Sequence, residues 1–226
     1  MAQAKLAVIG CGSWGCTIAW LLNSYGHEVR LWGHAEEALE QVRDEGHPPG
    51  VPELRLPDIP MSTSYEEVTR GMEAAVLVVR SQSMVDVAVA LGKLTSPPPI
   101  VIIASKGIDL GTLRPLSDVV EEHLPQSDVV AVSGPCIARE VARGIPTSVV
   151  AACPNQEVAR KAQEWFAGPT FRAYWHHDIL GVEYGGALKN VIAIAAGVSD
   201  GLGFGANSKS ALLTRGLAEM RRFAAA

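Results

Sequence analysis

Three glycines, Gly10-x-Gly12-x-x-Gly15, stand directly after the apolar run Lys5–Ile9 and open a helical pattern that extends from Ser13 to Tyr25. That placement leaves few structures open. A strand that ends in a glycine turn and continues as a helix is the first half of a βαβ unit, and Glu28–Trp32 supplies its second strand. In such a unit Gly10 makes the tight turn, Gly12 lets a pyrophosphate approach the backbone, and Gly15 lets helix and strand pack closely. The helix N-terminus adds free N–H groups and partial positive charge. The pattern predicts a dinucleotide site built on Gly10, Gly12 and Gly15. The alternatives are a turn kept for packing alone and a methyltransferase cofactor turn.

Composition narrows the class. The 226 residues carry 24 acidic and 19 basic side chains, a net charge of −5, with 48% apolar residues. A globular chain of this size buries roughly 70% of its unfolded surface. The acidic balance argues against a nucleic-acid partner and against a polybasic membrane anchor. The four cysteines (Cys11, Cys16, Cys136, Cys153) show no metal-finger spacing and read as reduced cytosolic thiols. Lys5 and the apolar Leu6–Leu22 stretch imitate a signal peptide, but glycines interrupt the stretch and no cleavage site follows. The longest uncharged apolar stretch falls well short of a membrane span. A cytoplasmic protein without membrane insertion is expected.

Further along, strands are predicted at Ala74–Val79, Ile100–Ala104, Val129–Val132, Ser148–Ala152 and Phe171–Trp175. Helices are predicted near Met84–Leu94, Pro115–His123, Ile137–Arg143 and Asn155–Ala167, with a polar loop from Gly46 to Pro60. After Asp178 the strand signal stops, and Ile179–Gly197 and Ala206–Ala224 read as helices. The pattern is α/β: a Rossmann-like, doubly wound sheet over residues 1–178, then the start of an all-α domain over 179–226. The helical pattern runs through Met220–Ala226 without a capping glycine, so a truncated, incomplete helical domain is expected.

Several residues carry candidate chemistry. An NAD-specific site places a carboxylate at the end of the second strand; here the chain reads Leu31-Trp32-Gly33-His34, which leaves room for a 2′-phosphate and favours NADP. Glu36 and Glu37 follow closely, and His34 in the bland reading merely begins a helix. Lys106, just past the Ile100–Ala104 strand, points towards the crevice where ligands of open sheets gather, the alternative being a solvated loop lysine. Lys189 is the only charge between Tyr184 and Ser199. A lysine on so apolar a helix snorkels, finds a partner or does acid–base work. Ser133-Gly134-Pro135-Cys136 forms another turn before a short helix, but no histidine is placed to activate Cys136 as a nucleophile. His176-His177-Asp178 lacks the spacing of a metal site. Trp20 and Trp32 read as core, and Trp14 as a residue that packs on a cofactor.

Together these segments resemble one family. Gly10–Gly15, Leu31–His34, Ser105-Lys106-Gly107, Ser133-Gly134-Pro135, Gly185–Ala193, Gly201–Asn207 and Thr214–Met220 match, in order and spacing, the bacterial NAD(P)-dependent glycerol-3-phosphate dehydrogenases. The resemblance implies reversible reduction of dihydroxyacetone phosphate to sn-glycerol 3-phosphate, a phospholipid precursor, with NADPH/NADP or NADH/NAD. It implies that Ser13, Trp14, His34 and Ala138 contact the nucleotide. Lys106 serves nucleotide and substrate, Gly134, Cys136 and Asn190 line the substrate site, and Lys189 transfers the proton. No metal is expected, since no ligand spacing supports one. A homodimer is an assembly the sequence leaves open.

The chain departs from the family at Cys136, where threonine or serine is usual, at Cys16, where threonine is usual, and at Arg80, where proline is usual. The family's further helices contribute a catalytic aspartate and an Arg-Asn pair, which these residues do not include. The chain by itself is therefore expected to be inactive. A non-catalytic dinucleotide-binding module is the alternative of a different class.

Overall fold

The computed structural model describes residues 3–224. In chain order the elements are β1 (Lys5–Ile9), α1 (Ser13–Ser24), β2 (Glu28–Trp32), α2 (Glu36–Glu45), β3 (Met61–Ser62), α3 (Tyr65–Thr69), β4 (Ala74–Leu77) and α4 (Met84–Gly92). They continue with β5 (Ile100–Ile103), α5 (Leu116–His123), β6 (Asp128–Ser133), α6 (Ala138–Ala142), β7 (Thr147–Ala152), α7 (Gln156–Phe166) and β8 (Phe171–His176). Two long helices, α8 (Ile179–Gly201) and α9 (Ala206–Ala224), follow.

The strands form one sheet in the order β3-β2-β1-β4-β5-β6-β7-β8, parallel except where β6 meets β7. This is the Rossmann-like, doubly wound arrangement. β1 lies between β2 and β4, with Ile9 opposite both Trp32 and Leu77. The winding reverses there, so a crevice opens at the carboxyl ends of β1 and β4.

Both faces of the sheet are covered, which is why its central strands read as unbroken apolar runs rather than as alternations. On one face Leu6, Val8, Val76 and Ile102 pack with Ile18 and Leu22 of α1 and Phe166 of α7. On the other, Ile9, Leu77 and Ile103 pack with Met84 and Leu91 of α4 and Val120 of α5. A buried histidine joins the sheet to α7. His27 Nδ1 accepts the Ala4 N–H at 3.1 Å, and Nε2 donates to the Trp165 carbonyl at 3.1 Å. Burial lowers the pKa of His27 and holds it in this neutral form.

The structure adds three elements to the sequence reading. α2 buries only Leu39 and Val42, too few apolar positions for a clear helical period. Its ends are well specified all the same: Glu36 and Glu37 lie in the first turn and Gly46 closes it in the left-handed region at φ 64°. β3 has two residues and α3 five, below the length at which either pattern shows.

α8 and α9 form an antiparallel pair, with Tyr184 edge-on to Phe223 at 5.3 Å. A Cβ on Gly216 would lie 2.6 Å from Ile192, so glycine there allows the close approach. By length and composition α8 passes for a membrane span, although Glu183, Lys189 and Asp200 interrupt its apolar surface. Its first half lies on the sheet, where Ile179 and Val182 join the apolar layer of α4 and α5.

At the turn between β1 and α1, a Cβ on Gly15 would overlap the Gly10 carbonyl. Replacing Gly15 by Ala should lower stability by about 1–3 kcal/mol or more, the range for an overpacked core. Urea unfolding checks this: the midpoint should fall at unchanged slope.

Candidate functional site

The site starts from the turn after β1. Gly10 sits at φ +126°, and a Cβ there would lie 2.5 Å from the Val78 carbonyl. Gly10 N–H donates to the Trp32 carbonyl at 3.0 Å, which ties the turn to β2. Gly12 is the N-cap of α1, and a Cβ built on it would meet nothing within 4 Å. The turn is thus tight on its protein side and open towards the crevice. The first-turn amides of α1 have no intrahelical acceptor and face that opening as anion donors. These residues fit a dinucleotide pyrophosphate.

Beyond the turn lies a cleft of ≈ 560 Å³, lined by Gly10, Gly12, Trp32, His34, Tyr65 and Arg80 among others. Trp32 and Tyr65 stack at 4.4 Å along its wall. Burial, helped by nearby Asp86, pushes the Tyr65 phenol up to about 12, so it stays protonated. Exposed His34 and Arg80 stand at the rim with Asp86. Glu36, which follows the strand end closely, belongs to α2 and is bonded to Arg43 at 2.8 Å. Gly33 is required by packing: a Cβ there would lie 2.5 Å from Leu39.

Other nucleotide candidates take less expected positions. The Ser13 hydroxyl donates to the Pro49 carbonyl, and Arg139 Nε donates to the Gly50 carbonyl at 2.6 Å. The segment Pro49–Gly50 is therefore strapped across the start of α1. The Trp14 ring lies against Phe171 at 6.5 Å, with Nε1 buried and unpartnered. Half-buried Ala138 opens the five-residue α6.

The second cluster stands at the ends of β5 and β6. Ser105 Oγ donates to the Val79 carbonyl at 2.6 Å, fixing the chain just before Lys106. Lys106 Nζ donates to Cys136 Sγ at 3.1 Å, and Cys136 Sγ donates to the Gly134 carbonyl at 3.1 Å. Lys106, Gly134 and Cys136 are thus brought together. Lys106 also lines a cavity of ≈ 10 Å³ with Ser105, Ser133, Glu183 and Gly186, about the space of one water. Lys189, half-buried one turn beyond Gly186, donates to Asn190 Oδ1 at 2.9 Å. Its described bond is to that neighbour and not to the Lys106 cluster.

Sequence reasoning did not single out Glu183, which is buried between α8 and α5. Its Oε1 accepts the Ser117 N–H at 3.0 Å, and its Oε2 is met by the Ser117 hydroxyl. Arg139 and the Pro49–Gly50 strap were also missed. Their partners lie 66 and 89 positions away, and no local pattern announces such a pair. The other cysteines, Cys11, Cys16 and Cys153, are free and buried, and burial pushes the Cys16 thiol up to about 12. They are inert core residues. Among the described residues no His, Cys, Asp and Glu cluster could hold a metal ion.

A glycine turn at a topological switch point, opening on a cleft and a lysine-bearing crevice, defines a dinucleotide-binding α/β protein. Comparison with known proteins makes the assignment particular. The family model for the NAD-dependent glycerol-3-phosphate dehydrogenase N-terminus matches residues 5–159, and that for the C-terminus matches residues 178–226. A glycerol-3-phosphate dehydrogenase [NAD(P)+] of Citrifermentans bemidjiense is 45% identical over 98% of this chain and 68% of its own. One from Oceanobacillus iheyensis is 42% identical over 96% and 64%. The crystal structure of the Coxiella burnetii glycerol-3-phosphate dehydrogenase superposes with a TM-score of 0.88 at 33% identity, covering 99% of this chain and 69% of that one. The chain belongs to the NAD-dependent glycerol-3-phosphate dehydrogenase family and spans about two thirds of the length of these relatives.

With His34 and Arg80 at the rim and Glu36 held by Arg43, NADPH should bind at least as tightly as NADH. Replacing His34 by Asp should shift the ratio of dissociation constants towards NADH by about tenfold or more, the effect of a carboxylate a few ångströms from a phosphate. Fluorescence titration with both nucleotides measures it; an unchanged ratio would remove His34 from the site.

Proposed function

We propose that this chain catalyses reversible hydride transfer between NAD(P)H and dihydroxyacetone phosphate, giving sn-glycerol 3-phosphate for phospholipid synthesis. Family membership supports the reaction, and one structural observation supports its location. The helix carrying Lys189 is seated on the crevice end of β6, where Gly186 lies against Ser133 and the stem of Lys106. That brings the two lysine-bearing segments to one edge of the sheet.

In this reading Gly10, Gly12 and Gly15 shape the turn, and the amides of Ser13 and Trp14 take the pyrophosphate. His34 borders the adenosine ribose, Ala138 contacts the nucleotide, and Lys106 faces both nucleotide and substrate. Gly134, Cys136 and Asn190 line the substrate side. When bound, the nicotinamide supplies or accepts the hydride at the carbonyl carbon. Reduction leaves negative charge on the carbonyl oxygen, and the Lys189 ammonium stabilises that charge and delivers the proton. In the reverse direction the neutral amine takes the hydroxyl proton. Cys136 offers a weaker hydrogen bond than the hydroxyl usual at that place, so this chain leans more heavily on Lys106 there.

Residues 1–178 form the nucleotide domain of this proposal and 179–226 belong to a helical substrate domain. The net charge of −5 and the family support a cytoplasmic enzyme of small phosphorylated substrates, without nucleic acid or membrane insertion. A homodimer is compatible with it.

The test is Lys189→Met, which removes the ammonium but keeps the stem. It is made in this chain joined to the remaining C-terminal third of the Citrifermentans bemidjiense relative, so that the site has the family's full helical complement. NADPH affinity should be unchanged, while dihydroxyacetone phosphate-dependent NADPH oxidation falls about 10²–10⁴-fold. Normal turnover by the Met variant would make Lys189 a structural lysine and overturn the mechanism.

A further inference from the structure

α8 meets the body of the protein along a narrow line. Ile179 and Val182 reach the apolar layer of α4 and α5; Glu183 and Gly186 follow along the same face. Among the described residues, Glu183 supplies the hydrogen bonds that run from an α8 side chain to this body, both of them to Ser117. Ser117 is the second residue of α5, so the carboxyl satisfies a helix N-terminal N–H that has no acceptor within its own helix. On the α8 side the contact otherwise consists of Ile179, Val182 and Gly186, which have no hydrogen-bonding side chains to fix rotation. Two convergent hydrogen bonds on one carboxyl do fix it.

We infer that Glu183 is a positioning residue: anchored on Ser117, it fixes the rotation of α8 over the sheet and with it the placement of Lys189 relative to Lys106. The inference rests on the role proposed above for Lys189. Its geometric basis is the seat of Gly186, where a Cβ would overlap Ser133 Oγ and lie 3.8 Å from Lys106 Cγ. Glu183 and Gly186 line the same water-sized cavity as Lys106. A helix surface lies about 5–6 Å from its axis, so turning α8 by about 10° moves a side chain on it by about 1 Å. A shift of that size at a reacting group can reduce rate by on the order of 10²-fold.

The anchor works in both protonation states. Ionised, the carboxyl accepts from the Ser117 N–H and hydroxyl; protonated, it keeps the N–H bond and donates to the hydroxyl oxygen. Desolvation raises the pKa of Glu183 from 4.5 to about 7, with the Ser117 bonds opposing the rise and Asp118 adding to it. The groups facing it are Ser117 and Asp118 from α5, Lys106 from the segment after β5, and Ser133 from β6. Because the folded state binds the proton more tightly than the unfolded chain, the contribution of Glu183 to stability is full below pH 4.5. It declines as pH rises towards about 7 and is level above.

Glutamine reproduces the anchor without a charge, and leucine removes it. Glu183→Leu should leave the NADPH dissociation constant within about twofold and speed hydrogen exchange of the α8 amides. In the joined chain used for Lys189, it should lower kcat by about 10–100-fold. Glu183→Gln should restore slow exchange and most of the turnover. The melting temperature of the parent relative to Glu183→Gln should fall as pH rises from 4.5 to 7. Parent-like exchange and turnover in Glu183→Leu, or a Gln variant as damaged as the Leu variant, would overturn the inference. If Glu183→Leu does not fold, Ser117→Ala, which keeps the N–H bond, should show the same faster exchange with a smaller turnover loss. Parent behaviour there would also overturn it. Normal turnover in Lys189→Met beside faster α8 exchange in Glu183→Leu would sink the reading of Lys189 and leave the anchor standing.

Discussion

The Gly10 carbonyl occupies the place where residue 15 would carry a side chain, and the rest of the nucleotide half depends on that approach. It lets α1 start immediately over the end of β1, which aims the unpaired first-turn amides at the crevice between β1 and β4. The Gly10 N–H bond to Trp32 fixes β2 beside the same turn, so the strand end that carries His34 reaches the rim of the same cleft. One backbone contact therefore sets both where the open first-turn amides point and which residue stands at the cleft rim. No other residue type at position 15 preserves this geometry without separating helix from strand.

The two lysine-bearing segments depend on a different kind of contact. Lys106 is held from below, by Ser105 on the Val79 carbonyl and by the bond of its own ammonium to Cys136. Lys189 rides on a helix held by the apolar contacts of Ile179 and Val182, a glycine seat on the sheet and one buried carboxyl bonded to α5. A lysine-bearing helix docked mainly by apolar contact gains stability but little orientation, because hydrophobic burial is not directional. Hydrogen bonds supply the direction, which explains why a buried glutamate is present despite the desolvation that raises its pKa.

Much of this was legible in the sequence because it is local. The glycine turn, the apolar strands and the two final helices follow from spacing within a few residues, and Lys106 and Lys189 stand out by position and by contrast with their surroundings. α2 escaped because only Leu39 and Val42 of its ten residues are buried. β3 escaped because it is two residues long. Glu183, Arg139 and the Pro49–Gly50 strap escaped because their meaning lies in partners far away in the chain. Trp14 was legible as a residue of the turn, while its packing on Phe171 depends on where β8 lies.

Binding of a nicotinamide dinucleotide on the Gly10–Gly15 turn can be tested at Gly12. The residue has an ordinary backbone conformation, φ −72° and ψ 178°, and open space around the Cβ it lacks. Gly12→Val should therefore fold with a melting temperature close to that of the parent while its side chain fills the pyrophosphate position. Titration of both proteins with NADPH, followed by tryptophan fluorescence, should give saturable binding to the parent and at least a hundredfold weaker binding to the variant, about 2.7 kcal/mol. Equal affinity in a folded Gly12→Val protein would mean that the dinucleotide does not lie on this turn.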